Sequence, residues 1–156
     1  MRRAIETLSS VGLCVLALTA TSVHGQMKNP LVGAWKVTEI ANPNSPPLTN
    51  PQPGLYVFTE KHYSAVRLNG TKPLPSYPSN DAATDADKVA SFDAIYVNAG
   101  GYAISGNMLT LSPMVAKSAF AMAPGRTVQY EFTLKGDTLT LVQKPNGPGL
   151  KFVRLE

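Results

Sequence analysis

The chain is short of the residues on which most active-site chemistry depends. It has one cysteine and two histidines in 156 residues. Cys14 falls inside an apolar run, Val11 to Ala20, that reads as a leader, so the rest of the chain carries no thiol. That excludes a cysteine nucleophile, a thiolate metal site and redox work there. His62 is the one histidine beyond Gly25, which excludes a centre built on two or three imidazoles. The carboxylates show no calcium-loop spacing. Asp81, Asp85 and Asp87 come nearest, and they read as helix-start residues. No metal and no cofactor is therefore expected. Glycine is present without a phosphate-loop pattern, and no Gly-x-Ser-x-Gly elbow occurs. Cations exceed anions, 14 to 10, but beyond the leader they stand singly along the chain rather than in the clusters that nucleic acid demands.

No apolar run is long enough to cross a bilayer, which takes about 20 residues. The run that exists is preceded by Arg2 and Arg3 and followed by Val23-His24-Gly25. Positive charge, a short apolar stretch and a small-residue site form the order of a signal peptide. Leu13 before Cys14 is too large for a lipoprotein cleavage site. The expectation is a leader over residues 1–25, cleaved after Gly25, and one domain over 26–156 that is secreted or periplasmic with no membrane span. That domain has 12 basic and 9 acidic residues, an ordinary solvated balance.

What is abundant is strand grammar. Leu31 to Ile40, Leu55 to Thr59 and Tyr63 to Leu68 alternate or carry β-branched and aromatic residues. The proline-rich Asn42 to Pro53 between the first two cannot be regular structure, because proline lacks a donor and fixes φ. Asn69 to Asn80 is a second loop. Thr84-Asp85-Ala86-Asp87 then resembles a capping box, and Val89, Phe92 and Tyr96 follow on one helical face, so one helix is expected from Thr84 to a glycine stop near Ala99-Gly100-Gly101. Hairpins follow: Tyr102 to Ser105 and Met108 to Leu111 around Gly106-Asn107, and Phe132 to Lys135 and Thr138 to Leu141 around Gly136-Asp137. Val115 to Met122 reads as another strand, and Leu150 to Leu155 as the last. The pattern predicts an all-β chain of about eight antiparallel strands with one helix between strands 3 and 4, which can form a sandwich or, the preferred arrangement, an eight-stranded antiparallel up-and-down barrel. Short links favour antiparallel neighbours, and closure removes exposed edges.

Five segments also resemble a known family in the right order. Leu31-Val32-Gly33-Ala34-Trp35-Lys36-Val37 resembles the L-V-G-x-W opening of the bacterial and fungal lipocalin-like domain family. Gly54 to Thr59 with Tyr63-Ser64-Ala65 is similar to that family's strand, tight turn, strand. Phe92, Tyr96 and Ala99-Gly100-Gly101-Tyr102 resemble its aromatic helix leading into an A-G-x-Y strand, with Gly106-Asn107 and the Phe132 to Leu141 hairpin after it. The resemblance implies a calycin-type barrel with a helix closing one end, and implies little about chemistry. It also implies a structural pair, Trp35 covered by Arg154, at the closed end. The chain departs from the family at Thr110-Leu111-Ser112-Pro113, where many members carry histidines.

The candidate ligand-binding residues are Tyr56, Phe58, Tyr102, Leu111, Phe120, Met122, Tyr130, Phe132 and Leu141. Val128, Tyr130, Phe132 and Leu134 share a strand face, and Ala65, Ala103, Ala119 and Ala121 are small enough to leave room. Two readings stay open for the set: a filled core, or an apolar pocket wall with hydroxyls to orient a guest. The first function expected is an exported lipocalin-like protein holding a small hydrophobic molecule, with no catalytic residues. The alternatives are a cofactor-free isomerase or cyclase drawing on Tyr102, Tyr130, Arg67 and Glu131, and a solid barrel meeting protein partners through its proline-rich loops. His62 falls at a hairpin tip, where solvation is the default.

Overall fold

The computed structural model describes residues 29–156; the leader expected over 1–25 lies outside them. Eight antiparallel strands close into one barrel in sequence order: β1 (Gly33–Ala41), β2 (Gly54–Phe58), β3 (His62–Leu68), β4 (Ile95–Ser105), β5 (Met108–Ala116), β6 (Val128–Lys135), β7 (Thr138–Gln143) and β8 (Gly149–Arg154). The first strand pairs with the last, Trp35 opposite Arg154 and Ile40 opposite Leu150. One helix, α1 (Asp85–Ala94), lies between β3 and β4. No helix among the described residues is long and apolar enough to cross a membrane.

Local chemistry explains the elements. Along β6 the residues that pack on the core, Val128, Tyr130, Phe132 and Leu134, alternate with outward polar ones. Gly106 and Gly136 sit in the hairpin turns at φ of +59° and +55°, where a side chain would be strained. Thr84 caps α1: its hydroxyl accepts from the Asp87 N–H, and the Asp87 carboxylate accepts from the Thr84 N–H, at 3.2 and 3.0 Å.

Two boundaries depart from expectation. The helix stops at Ala94, and Ile95 to Gly101 runs as strand. Ile95-Tyr96-Val97 is a β-branched and aromatic run, and its pairing with Val66, Arg67 and Leu68 outweighs the helical spacing of Val89, Phe92 and Tyr96. Gly100 is then no helix stop but an inward strand position. A β-carbon there would lie 2.1 Å from the Ser112 carbonyl oxygen, where β5 bulges toward β4. The strand expected over Val115 to Met122 ends at Ala116 and gives way to a 3₁₀ turn, Ala119–Met122. Pairing with β6 stops at Leu111, and on the other side the Lys117 N–H to the Val97 carbonyl is the last bond to β4.

The end where β1 begins and β8 finishes is sealed. The indole of Trp35 is wholly buried, and its N–H donates to the Leu31 carbonyl at 2.8 Å. The Arg154 guanidinium lies 4.1 Å from the Trp35 ring centroid and donates to the carbonyls of Val32 and Pro30, at 2.6 and 2.9 Å. Gly33 makes room for this closure. Its φ is +135°, and a β-carbon would fall 2.3 Å from the Glu156 carbonyl oxygen.

Candidate functional site

Most of the residues singled out for a pocket wall come together as packed core. Tyr56, Phe58, Leu111, Tyr130 and Leu141 are buried, and Phe132 packs against them. Edge-on ring contacts lock the sealed half: Tyr56 with Phe152 at 4.9 Å and Phe58 with Tyr102 at 5.4 Å between centroids. Tyr102 spends its hydroxyl there, donating to the Thr59 carbonyl and accepting from Asn29. Phe120 and Met122 are not brought to this wall. They sit on the 3₁₀ turn, 68% and 41% exposed, with the Arg126 guanidinium over the Phe120 ring. Their side chains face solvent because the turn has replaced the strand that would have aimed them inward. Glu131 faces away from the lumen and pairs with Lys144 at 2.5 Å, so it does not join Tyr130 and Arg67. His62 is exposed.

Toward the other end, the lumen turns polar. Strand parity aims Tyr63, Ala65 and Arg67 of β3 inward, and register sets Arg67 opposite Tyr96 on one side and Gly54 on the other. The guanidinium lies 4.6 Å from the Tyr96 ring centroid and donates to the Asn69 side-chain oxygen, while its Nε–H has no partner. Tyr63 donates to the Asn98 oxygen at 2.7 Å, and the Asn98 amide donates to the Tyr96 hydroxyl at 3.2 Å. Asn98 is 4% exposed, the one buried polar residue among those described, and both ends of its amide are thereby satisfied.

The phenols here stay neutral. Burial pushes Tyr56 up to about 12, the Tyr96 phenol adds to the rise, and the adjacent Arg67 only partly offsets it. Burial raises Tyr63 and Tyr130 as well, again with help from neighbouring phenols. An unfolded tyrosine ionises near pH 10. Between that pH and the folded value the native state holds protons that the unfolded chain has released, so stability falls as pH rises. Stability from these groups is intact below pH 10 and drains away above it. Tyr56 alone accounts for about 2–3 kcal/mol by pH 12 at about 1.36 kcal/mol per pH unit. The expected result is alkaline unfolding in which the buried phenolates, followed by absorbance near 295 nm, appear together with loss of the strand circular dichroism. Ionisation of these phenols in a still-folded barrel would contradict it.

Beside the cluster the wall is split. Pairing of β1 with β2 runs from Gly33–Phe58 to Lys36–Leu55 and stops. Pro53 brings no N–H to continue it, and β1 bulges against β8 between Val37 and Glu39. Gly54 stands at the split because a β-carbon would lie 2.7 Å from a Val37 methyl and 2.8 Å from the Arg67 β-carbon. A hollow of about 790 Å³ opens there. Its lining draws on both faces of the wall: Val37 and Arg67 from the inward set, Lys36, Leu55 and Val66 from the outward one. Thr38, Leu68, Ile95, Leu155 and, from the proline-rich loop, Thr49, Asn50, Pro51 and Pro53 complete it. Lys36 and Arg67 are its only charged residues.

This site is not legible in the sequence. Arg67 is the third position of one β3 face after Tyr63 and Ala65, but the spacing of Val89, Phe92 and Tyr96 points to a helix, and the split lies in the loop. Among the described residues no three His, Cys, Asp or Glu side chains gather as a metal site would need.

Comparison with known proteins supports the architecture. No family model matches the chain, and no curated protein does. A lipocalin-like protein from Bacteroides uniformis ATCC 8492 has a similar crystal structure, with a TM-score of 0.50 and 14% identity over 80% of this chain and 98% of that one. An uncharacterised protein from Bacteroides eggerthii DSM 20697 is similar at a TM-score of 0.46, with 14% identity and the same coverage. The likeness to the first is one of fold: this chain has a closed barrel similar to that of a lipocalin-like protein.

Proposed function

We propose that this chain is an exported binding protein that holds a small, largely hydrophobic molecule, and that the guest sits in the hollow at the β1–β2 split. The barrel is of a kind suited to binding, and the leader expected over residues 1–25 carries the export half of the reading. The observation that carries the binding half is the hollow itself. Its volume of about 790 Å³ falls within the roughly 300–1,000 Å³ typical of small-molecule sites. Eight of its fourteen lining residues are leucine, isoleucine, valine or proline, and its polar side chains are Lys36, Thr38, Thr49, Asn50 and Arg67. The core set of Tyr56, Phe58, Leu111, Tyr130 and Leu141 is spent on packing.

Titration with the neutral dye N-phenyl-1-naphthylamine tests this. Saturable binding with one site per chain is expected. Leu55→Glu places a charge in the apolar wall at a position already half open to solvent, so the fold persists while dye affinity falls at least about tenfold, since desolvating the new carboxylate costs more than one factor of ten in free-energy terms. Absence of saturable binding, or equal affinity in the folded variant, would remove the hollow as the site.

A further inference from the structure

Up-and-down order sends successive connections to alternate ends of the barrel. The tight hairpins around Glu60-Lys61, Gly106-Asn107 and Gly136-Asp137 fall at the sealed end, and the long connections fall at the other. One of these carries α1, another runs on from the end of β5 to Arg126, and both present large apolar side chains to water. We infer that this open rim is a lipid-docking surface, which seats Val89, Phe92, Met114, Val115, Phe120 and Met122 in the interface of an anionic bilayer.

All six side chains are exposed, five of them by more than half. Single exposed apolar residues are ordinary on a protein surface, whereas a cluster marks a contact. Val89 and Phe92 stand three apart on one face of α1, a ten-residue helix with no buried residue. A helix of that length draws most of its stability from packing an apolar face, and this face is left to water. The Ala119–Met122 turn likewise buries nothing. Lys117 ties the two together: its ammonium lies 4.5 Å from the Phe92 ring centroid and donates to the Phe92 carbonyl at 2.6 Å.

Charge selects the occupant. From Gly106 to Tyr130 the chain has two cations, Lys117 and Arg126, and no carboxylate. Arg126 lies 4.0 Å from the Phe120 ring centroid and forms no ion pair among the described residues. The carboxylates of α1 are held locally, Asp85 by Lys88, Asp87 by Thr84 and Asp93 by Lys117. A ring with a cation beside it matches the layering of a bilayer surface, the phenyl at the acyl boundary and the guanidinium among the phosphates. A second copy fits worse, because it brings more cations, and six side chains fall well short of the roughly 20–30 residues a side of a stable interface. A protein partner would also need hydrogen bonds across the contact, and phenylalanine, methionine and valine side chains offer none. The rim adjoins the proposed binding site: Ala121 and Ile95 share a small cleft of about 160 Å³, and Ile95 also lines the hollow.

The test is co-sedimentation of the exported protein with vesicles of equal parts phosphatidylglycerol and phosphatidylcholine, against vesicles of phosphatidylcholine alone. Binding is expected to the first and at least about tenfold weaker binding to the second. Phe120→Ser combined with Met122→Ser should weaken it at least about tenfold by removing apolar area the bilayer would bury. Arg126→Gln should weaken it about fivefold, while Lys135→Gln, which removes the same charge at the sealed end, stays within about twofold. Trp35 is the one tryptophan and is wholly buried, so Phe120→Trp adds a reporter whose emission should shift to the blue on the anionic vesicles. Should the double variant fail to fold, that shift decides the matter. Absence of vesicle binding, or equal binding by the folded double variant, overturns the docking surface, and equal binding to both kinds of vesicle overturns its selection by charge. Dimerisation in light scattering that the double variant loses assigns the rim to a second copy and overturns the lipid reading as well. Neither Phe120 nor Met122 lines the hollow, so dye binding in solution persists in the double variant, and failure of the rim leaves the hollow standing.

Discussion

Trp35→Ala is expected to cost this barrel about 3–5 kcal/mol of stability, the range for removing a large buried aromatic. Trp35 is wholly buried between Leu31 and the Arg154 guanidinium. Its removal opens a void at the sealed end and withdraws the donor that satisfies the Leu31 carbonyl. It also strips Arg154 of the ring beneath it, a contact worth roughly 0.5–2 kcal/mol. For a domain of this size the thermal midpoint should fall by about 10–20 °C, as strand circular dichroism would record. Arg154→Met should cost less, because the methionine still covers the indole while the two hydrogen bonds to Val32 and Pro30 are lost. A shift of only a few degrees in the Trp35→Ala protein would mean that the sealed end collapses onto the void at little cost.

Gly100→Ala is the second large effect, and its neighbour provides the control. A β-carbon at Gly100 would approach the Ser112 carbonyl oxygen to 2.1 Å, the Met114 amide nitrogen to 2.8 Å and the Pro113 Cα to 3.0 Å. All three are backbone atoms of the bulged strand, so no rotamer change relieves the clash. Overpacking commonly costs about 1–3 kcal/mol. Here β4 and β5 must part at the bulge, and a loss of about 3 kcal/mol is expected. At Gly101 the nearest atom to a new β-carbon is the Lys61 carbonyl oxygen at 3.8 Å, ordinary contact. Gly101→Ala should therefore leave the denaturation midpoint nearly unchanged. Equal midpoints for the two variants would show that the bulge can move.

This pair of glycines illustrates how far the sequence could be read. Strand after strand was legible, because alternation and the Gly106-Asn107 and Gly136-Asp137 turns are local signals, and short links pointed to antiparallel neighbours while leaving a sandwich as the alternative to closure. The helix start was legible too, since Thr84 and Asp87 satisfy one another within four residues. Its end was not. Tyr96 fits the spacing of Val89 and Phe92 on a helix, and only pairing with Arg67 across β3, nearly thirty residues away, turns it into the lumen. Phe120 and Met122 misled for the same reason: their apolar character fits a strand, and what denies them one is the end of β5–β6 pairing at Leu111. The site was least legible of all. It depends on where β1 and β2 stop pairing, and a proline in a long loop signals irregularity without locating the hollow that results. Arg67 enters the sequence reading beside Tyr102, Tyr130 and Glu131, whereas its partners in the fold are Tyr56, Asn69 and Tyr96.

The seal over the lumen has a further consequence. Arg154 and Trp35 fasten it by gripping main-chain oxygens of Pro30, Leu31 and Val32, and every amino acid supplies such an oxygen. The side chains along that strap are consequently free to drift as far as Trp35, Gly33 and Arg154 are concerned. Leu31 alone is additionally tied by its burial. A strap fastened in this way can change its side chains at Pro30 and Val32 and still shut the barrel, placing no demand on the residues at the β1–β2 split.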